Sequence, residues 1–211
     1  MAIFHSHAGI VSRSSGRSAV AASAYIAAKQ MIDERQNIIH DYTKKSNVLI
    51  SKILAPTNAP DWVKESDTLW NRAENFEDEI ASLRFRGHKD PDKNIKSEVA
   101  KFDYLQSAQT AQTLECSLPV ELDHETCIKL VEEYLTQRFV SRSLIVDYAI
   151  HWEIGNPHFH AMITRRAIDL ETGSFSKVKD RNIVEKDQIK ESRKIYADKV
   201  NLYLEREGIE A

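Results

Sequence analysis

The stretch Val146–Arg166 reads VDYAIHWEIGNPHFHAMITRR and carries three histidines, His151, His158 and His160, close together. Val146, Tyr148, Ile150 and Trp152 alternate with Asp147, Ala149, His151 and Glu153, the period-two pattern of a half-buried strand. The alternation resumes after Pro157: Phe159, Ala161 and Ile163 take one face, and His158, His160, Met162 and Thr164 the other. Gly155-Asn156 between them reads as a two-residue hairpin turn. That turn sets Ile154 opposite Pro157, Glu153 opposite His158, and His151 opposite His160, with the Cβ atoms of a pair about 4.5–5.5 Å apart. Three imidazoles and Glu153 then share one face. Such a face offers three nitrogen ligands to a divalent ion and leaves positions open for water or substrate. A lone histidine is usually a surface or packing residue; three in register carry the metal reading.

Composition narrows the rest. The chain has 211 residues, 42% of them hydrophobic, and a net charge of −3. That length fits one large domain with a substantial core. No stretch approaches the roughly 20 apolar residues of a membrane-spanning helix. The opening MAIFHSHAGIVSRSS lacks the charged and apolar blocks of a signal peptide. Two cysteines, Cys116 and Cys127, are too few for a disulfide framework, so a cytoplasmic location is expected. The acidic balance is not that of a dedicated duplex-DNA coat, yet Arg13, Arg17, Lys29, Arg35, Lys44 and Lys45 gather early in the chain.

Taken in order, residues 2–11 alternate as a strand, with Ile3, His5, His7 and Gly9 on one face. A Ser/Gly loop follows at 12–16. Residues 17–35, rich in alanine and free of Gly and Pro inside, read as one helix able to lie close to a sheet. Residues 47–54 read as a strand, 67–86 as an amphipathic helix, 95–110 as a polar helix, and 113–118 as a strand ending at Pro119. Asp123 caps a helix running to about Phe139, and a last helix covers about 185–206, with polar loop over 169–182. The expected fold class is α+β, with a central, largely antiparallel sheet flanked by helices. A single domain is expected over 1–211, with an insertion at about 88–111.

Three signatures now stand in one order: MAIFH, then IVSRSSGRSAVAASAYIAAK, then HWEIGNPHFHAMITRR. Together they resemble the N-terminal relaxase domain of MobA/MobL-type conjugative proteins, including TraA-type relaxases, within the HUH endonucleases. The resemblance covers most of 1–54 and 112–175. It implies an HUH relaxase-like sheet holding a three-histidine metal site near a catalytic tyrosine. It further implies that a tyrosine of the first helix attacks one phosphodiester at an origin of transfer, leaving a 5′-phosphotyrosine and a free 3′-OH. Carried onto this sequence, the tyrosine is Tyr25 and the ligands are His151, His158 and His160. A longer parent protein, continuing into a helicase or primase region, is also implied.

The family carries two acidic positions on the strand before its LPxEL motif. Here TLECSLPVEL keeps Glu115 at the second and has Thr113 at the first. Glu115 is therefore the acidic candidate, either to orient a histidine or to take the tyrosine's proton. The resemblance implies Mg²⁺ or Mn²⁺, which would stabilise charge on the phosphate. A tyrosine oxygen, with a pKa of about 10, leaves more readily than an alkyl hydroxyl, so the covalent link is reversible. Tyr42, in the polar HDYTKK, is the alternative nucleophile. Arg13, Arg17, Lys29, Lys44, Lys45, Arg165 and Arg166 are expected at the DNA. The implied partners are single-stranded origin DNA, relaxosome accessory proteins and a coupling protein. Two other readings use the same residues: a catalytically silent origin-binding module, and a three-histidine metallohydrolase.

Overall fold

The computed structural model describes residues 5–87 and 89–209. Five strands form one wholly antiparallel sheet: β1 (Ser6–Ser12), β4 (Val48–Leu54), β5 (Gln109–Ser117), β6 (Val146–His151) and β7 (His158–Thr164), in the order β1-β5-β7-β6-β4. The α+β class, with a central antiparallel sheet flanked by helices, is as the alternation indicated. Residues 2–4, at the start of the expected first strand, lie outside the described residues.

Each face of the sheet is closed by a pair of helices. On one side α4 (His124–Arg138) and α5 (Lys186–Arg206) bring Leu130, Tyr134, Tyr196 and Val200 onto Tyr148, Ile150, Phe159 and Ala161. Asp123 caps α4 as expected, its Oδ1 accepting from the Thr126 N–H at 2.7 Å. On the other side α1 (Ala19–Ala27) and α2 (Ser66–Arg84) pack Ala19, Val20, Ala24, Leu69 and Trp70 over Val11, Ala111, Ala149 and Met162. Small residues face small residues here, so α1 lies close to the sheet. Each fully buried Leu, Ile or Phe in these layers contributes about 1.5–3 kcal/mol through surface removed from water.

Two elements depart from the sequence reading. The helix expected over 17–35 stops at Ala27, because Ala28 adopts a left-handed φ of 53°. The chain then folds into a hairpin of β2 (Gln30–Asp33) and β3 (Ile38–Asp41). Alanine propensity favoured a longer helix; Met31 and Asp33, both buried, are better satisfied as strand residues beside α1 and α2. The polar stretch read as loop over 169–182 forms a second hairpin, β8 (Arg166–Asp169) and β9 (Ser174–Lys179), turning at Gly173 with φ 65°. The segment expected as an insertion holds α3 (Pro91–Gln106), which leads directly into β5. It is tied to α2 by Tyr104, whose hydroxyl donates to Glu77 at 2.7 Å. Burial, with Glu77 adjacent, pushes the Tyr104 phenol up to about 12.

The two cysteines are free and buried, and burial raises both thiols to about 12. Among the described residues no helix is long and apolar enough to cross a membrane.

Candidate metal centre and cleft

The register of the central hairpin differs from the expected one by two residues. His151 stands opposite His158, and Ala149 opposite His160. The connection is not the two-residue turn. Trp152 N–H donates to the Asn47 carbonyl at 2.8 Å, continuing toward β4, while the 153–156 turn closes through Asn156 N–H to Glu153 O at 3.0 Å. Pro157 has no N–H to extend the β6–β7 ladder, and its carbonyl instead accepts from Leu118 N–H at 2.7 Å. Glu153 consequently leaves the histidine face and accepts from Asn47 Nδ2 at 2.6 Å. A shift of two preserves side-chain parity, so the three histidines still share one face.

Their rings converge. Centroids lie 5.2 Å apart for His151–His158, 4.7 Å for His151–His160 and 4.9 Å for His158–His160, and one ligand atom from each falls within 4.8 Å of the others. Burial, reinforced by the two neighbouring imidazoles, lowers His160 to about 3; burial also lowers His151. Both rings are therefore neutral at ordinary pH, the form in which imidazole binds a metal. Two of the rings are also oriented. His158 Nδ1 donates to the Asn156 carbonyl at 2.8 Å, and His151 Nε2 donates to the Ile26 carbonyl at 2.7 Å, because a carbonyl can only accept. Nε2 of His158 and Nδ1 of His151 remain for a ligand. Glu115, paired with His160 across β5 and β7, holds Oε2 at 3.6 Å from His160 Nδ1, close but longer than a hydrogen bond. This donor set fits a divalent ion.

Tyr25 stands in the last turn of α1 and is 48% exposed. A cleft of about 590 Å³ opens beneath it, lined also by His7, Gly9, Arg17, Glu115 and His160. Gly9 permits the close approach of β1 to β5 at this point, since a Cβ there would meet Thr113 Oγ1 at 2.8 Å. The helix carrying Tyr25 is fastened along its length. Ala19 N–H donates to the buried Glu74 carboxylate at 3.1 Å, and Ser23 Oγ donates to Asp147 Oδ2 at 2.7 Å. Trp70 Nε1 shares that oxygen at 2.8 Å, and Ile26 O meets His151. Burial pushes the Asp147 carboxyl up, against the opposing effect of its Ser23, Trp70 and Ser66 contacts. The sequence reading did not single out Asp147, Ser23, Trp70 or Glu74. One signal was present: a carboxylate on the histidine face of an otherwise apolar strand must find partners when buried.

Tyr42 packs against Tyr25 with ring centroids 5.3 Å apart, and Tyr148 lies on the opposite face of the sheet, donating to Glu132 at 2.7 Å. Of the seven cations expected at DNA, Arg17, Lys29 and Lys44 are exposed, Lys45 is half-buried, and Arg17 lines the cleft. The other three are corrected. Arg13 is held by Glu74 at 3.0 Å and Asp78 at 3.1 Å. Arg166, 5% exposed, binds Glu77 at 2.9 Å and the carbonyls of Ser176 and Lys177. Arg165, 3% exposed, donates to Gln109 Oε1. For Arg165 and Arg166 the position after the ligand strand suggested the substrate; all three side chains are instead engaged in ion pairs or hydrogen bonds within the protein.

A sheet presenting three convergent histidines beside a helix whose last turn carries an exposed tyrosine is the frame of a three-histidine relaxase domain. The chain belongs to the MobA/MobL family, whose sequence model matches residues 17–88 and 91–211 and so runs through most of the expected insertion. It is 32% identical over 188 residues to the conjugal transfer protein TraA of Rhizobium radiobacter, covering 84% of this chain and 15% of that protein. It is 30% identical over 183 residues to the probable mobilization protein MobA of Bifidobacterium longum, covering 86% and 28%. This chain thus spans a minor part of these relatives' length. Among solved structures, one described under "Molecular Basis of Vancomycin Resistance Transfer in Staphylococcus aureus" superposes with a TM-score of 0.80 at 28% identity, covering 100% of this chain and 96% of the other.

Proposed function

We propose that this domain nicks and rejoins one DNA strand, site-specifically, at the origin of transfer of a plasmid or mobile element, with Tyr25 as nucleophile. The observation carrying this reading is that Tyr25, Glu115 and His160 line one cleft. His151, His158 and His160 would hold Mg²⁺ or Mn²⁺, and a divalent ion there supplies stabilisation of the negative charge that grows on the phosphate. The residues of the chain do the rest. Tyr25 Oη forms a bond to phosphorus as the P–O3′ bond breaks. The phenolic proton passes to Glu115, and the same proton is handed on, by way of water, to the departing 3′-oxygen, so the step is proton-neutral. Rejoining is the reverse, with phenolate as leaving group. Arg17 and Lys29 hold the single strand by its phosphates. A DNA substrate of this kind puts the work in the cytoplasm, alongside relaxosome accessory proteins and a coupling protein.

The test is incubation with Mg²⁺ or Mn²⁺ and single-stranded origin DNA, followed by denaturing electrophoresis. A protein–DNA adduct in wild type that is absent from Tyr25→Phe and His160→Ala is the expected result. Nicking retained in Tyr25→Phe would move the nucleophile to Tyr42 or to water. Intact binding with no adduct would leave a silent origin-binding module.

A further inference from the structure

Tyr25 is exposed, yet two side chains of one turn hold its ring. The turn Tyr42–Lys45 closes through Lys45 N–H to the Tyr42 carbonyl at 3.0 Å. It sets the Tyr42 ring nearly perpendicular to Tyr25, at 88°, and brings Lys45 Nζ to 3.8 Å from the Tyr25 ring centroid. The same ammonium donates to the Tyr25 carbonyl at 3.3 Å. Its field also reaches the metal centre, since it is among the charges that lower the proton affinity of His151 and His160. Lys45 is half-buried, and burial outweighs the pull of Glu153 on its own proton. Among the described residues no carboxylate lies within ion-pair distance of it.

A partly desolvated ammonium without a paired carboxylate, over the face of the Tyr25 ring and one residue from the Ile26 carbonyl that meets His151, is arranged for an anion. We propose that Lys45 is a further catalytic residue of the strand-transfer reaction, binding a non-bridging oxygen of the scissile phosphate as Tyr25 attacks and remaining on the phosphotyrosine until rejoining. This rests on the reading of Tyr25 as nucleophile. Lys45 keeps its three protons throughout: Tyr25 Oη–P forms, P–O3′ breaks, and the phenolic proton leaves by way of Glu115. A fixed cation aimed where negative charge develops accelerates a step by about 10²–10³-fold in well-ordered sites. The same ammonium also holds the Tyr25 ring and carbonyl.

Lys45→Met keeps the stem and removes the charge, while Lys45→Arg keeps the charge. Adduct formation is followed in a single turnover at saturating single-stranded origin oligonucleotide, with its affinity measured separately by fluorescence anisotropy. The expected result is a rate lowered about 10–100-fold in Lys45→Met and largely recovered in Lys45→Arg. Rejoining of the purified adduct slows by the same factor, with affinity nearly unchanged. Lys45→Gln gives the same comparison should methionine disturb the turn. A Lys45→Met rate equal to wild type at saturation, or a loss confined to affinity, overturns the proposal. Failure of the underlying reading is separately visible: wild type would then form no adduct at Tyr25 at all.

Discussion

His151 Nε2 and the carbonyl of Ile26 lie 2.7 Å apart, so a metal-centre histidine is hydrogen-bonded to the residue next to Tyr25. The three-histidine face and the tyrosine helix are therefore joined by a direct bond. Ordering of one ring fixes the end of the other element.

This bond separates two variants that otherwise look alike. His151→Ala and His158→Ala each remove a ligand and lose tight Mn²⁺ binding by calorimetry. Only His151→Ala also strands a buried carbonyl at the end of α1. In the metal-free protein it is expected to cost about 1–3 kcal/mol more in urea unfolding than His158→Ala. Equal losses would contradict the coupling.

Asp147 gives a second prediction. Asp147→Ala leaves the Ser23 hydroxyl and the Trp70 N–H without their shared acceptor, at a cost of about 2–4 kcal/mol. Asp147→Asn retains an accepting oxygen and is expected to recover most of that stability. Its adduct yield should follow, because Ser23 is two residues from Tyr25 on the same helix.

Acid sensitivity follows from the histidines. Burial depresses His160 to about 3, so between that value and the ordinary imidazole range near 6.5 the unfolded chain binds the extra proton. Stability conferred by the neutral ring is thus complete above about 6.5 and declines as the pH falls, by up to about 1.4 kcal/mol per pH unit. Urea melts of the metal-free protein at pH 7.5, 5.5 and 4.5 should show this decline. His160→Gln should flatten it, and added Mn²⁺ should protect less at the lower pH because protons compete for the ligands.

The exposed and buried arginines should part company in salt titrations. Arg17→Ala and Lys29→Ala are expected to lower the slope of log affinity against log salt by about 0.7 each for single-stranded DNA. Arg166→Ala should leave that slope unchanged. It would instead destabilise the fold by about 1–3 kcal/mol, because Glu77 loses one of three buried partners and keeps Lys179 and Tyr104.

The alternation in Val146–Arg166 was enough to put His151, His158 and His160 on one face, because side-chain parity survives a register error of two. The same pattern could not assign the pairing. That depended on Asn47, a hundred residues away, capturing the Trp152 N–H. Tyr25 was located by its place in a recognisable motif, but its exposure depends on a single left-handed residue, Ala28, that no propensity for alanine would suggest. The long helices of 66–84, 124–138 and 186–206 were legible from spacing and caps, since each presents one apolar stripe to one face of the sheet. The basic residues were the least legible. Sequence shows that Arg13, Arg165 and Arg166 are charged, but their fate was decided by Glu74, Glu77 and Gln109, which are far away along the chain.

The strand order β1-β5-β7-β6-β4 has a further consequence for the making of this protein. As the chain is synthesised, β1, the Tyr25 helix and β4 emerge first, and neither strand can pair with the other, since they are destined for opposite edges. They wait for β5, β6 and β7, which supply every neighbour they will have. Closure of so many distant pairings is slow compared with local folding and tends to occur in one late step. A nascent or truncated chain thus carries its tyrosine with no opposing histidines. The three-histidine face is completed only with the last strand of the sheet.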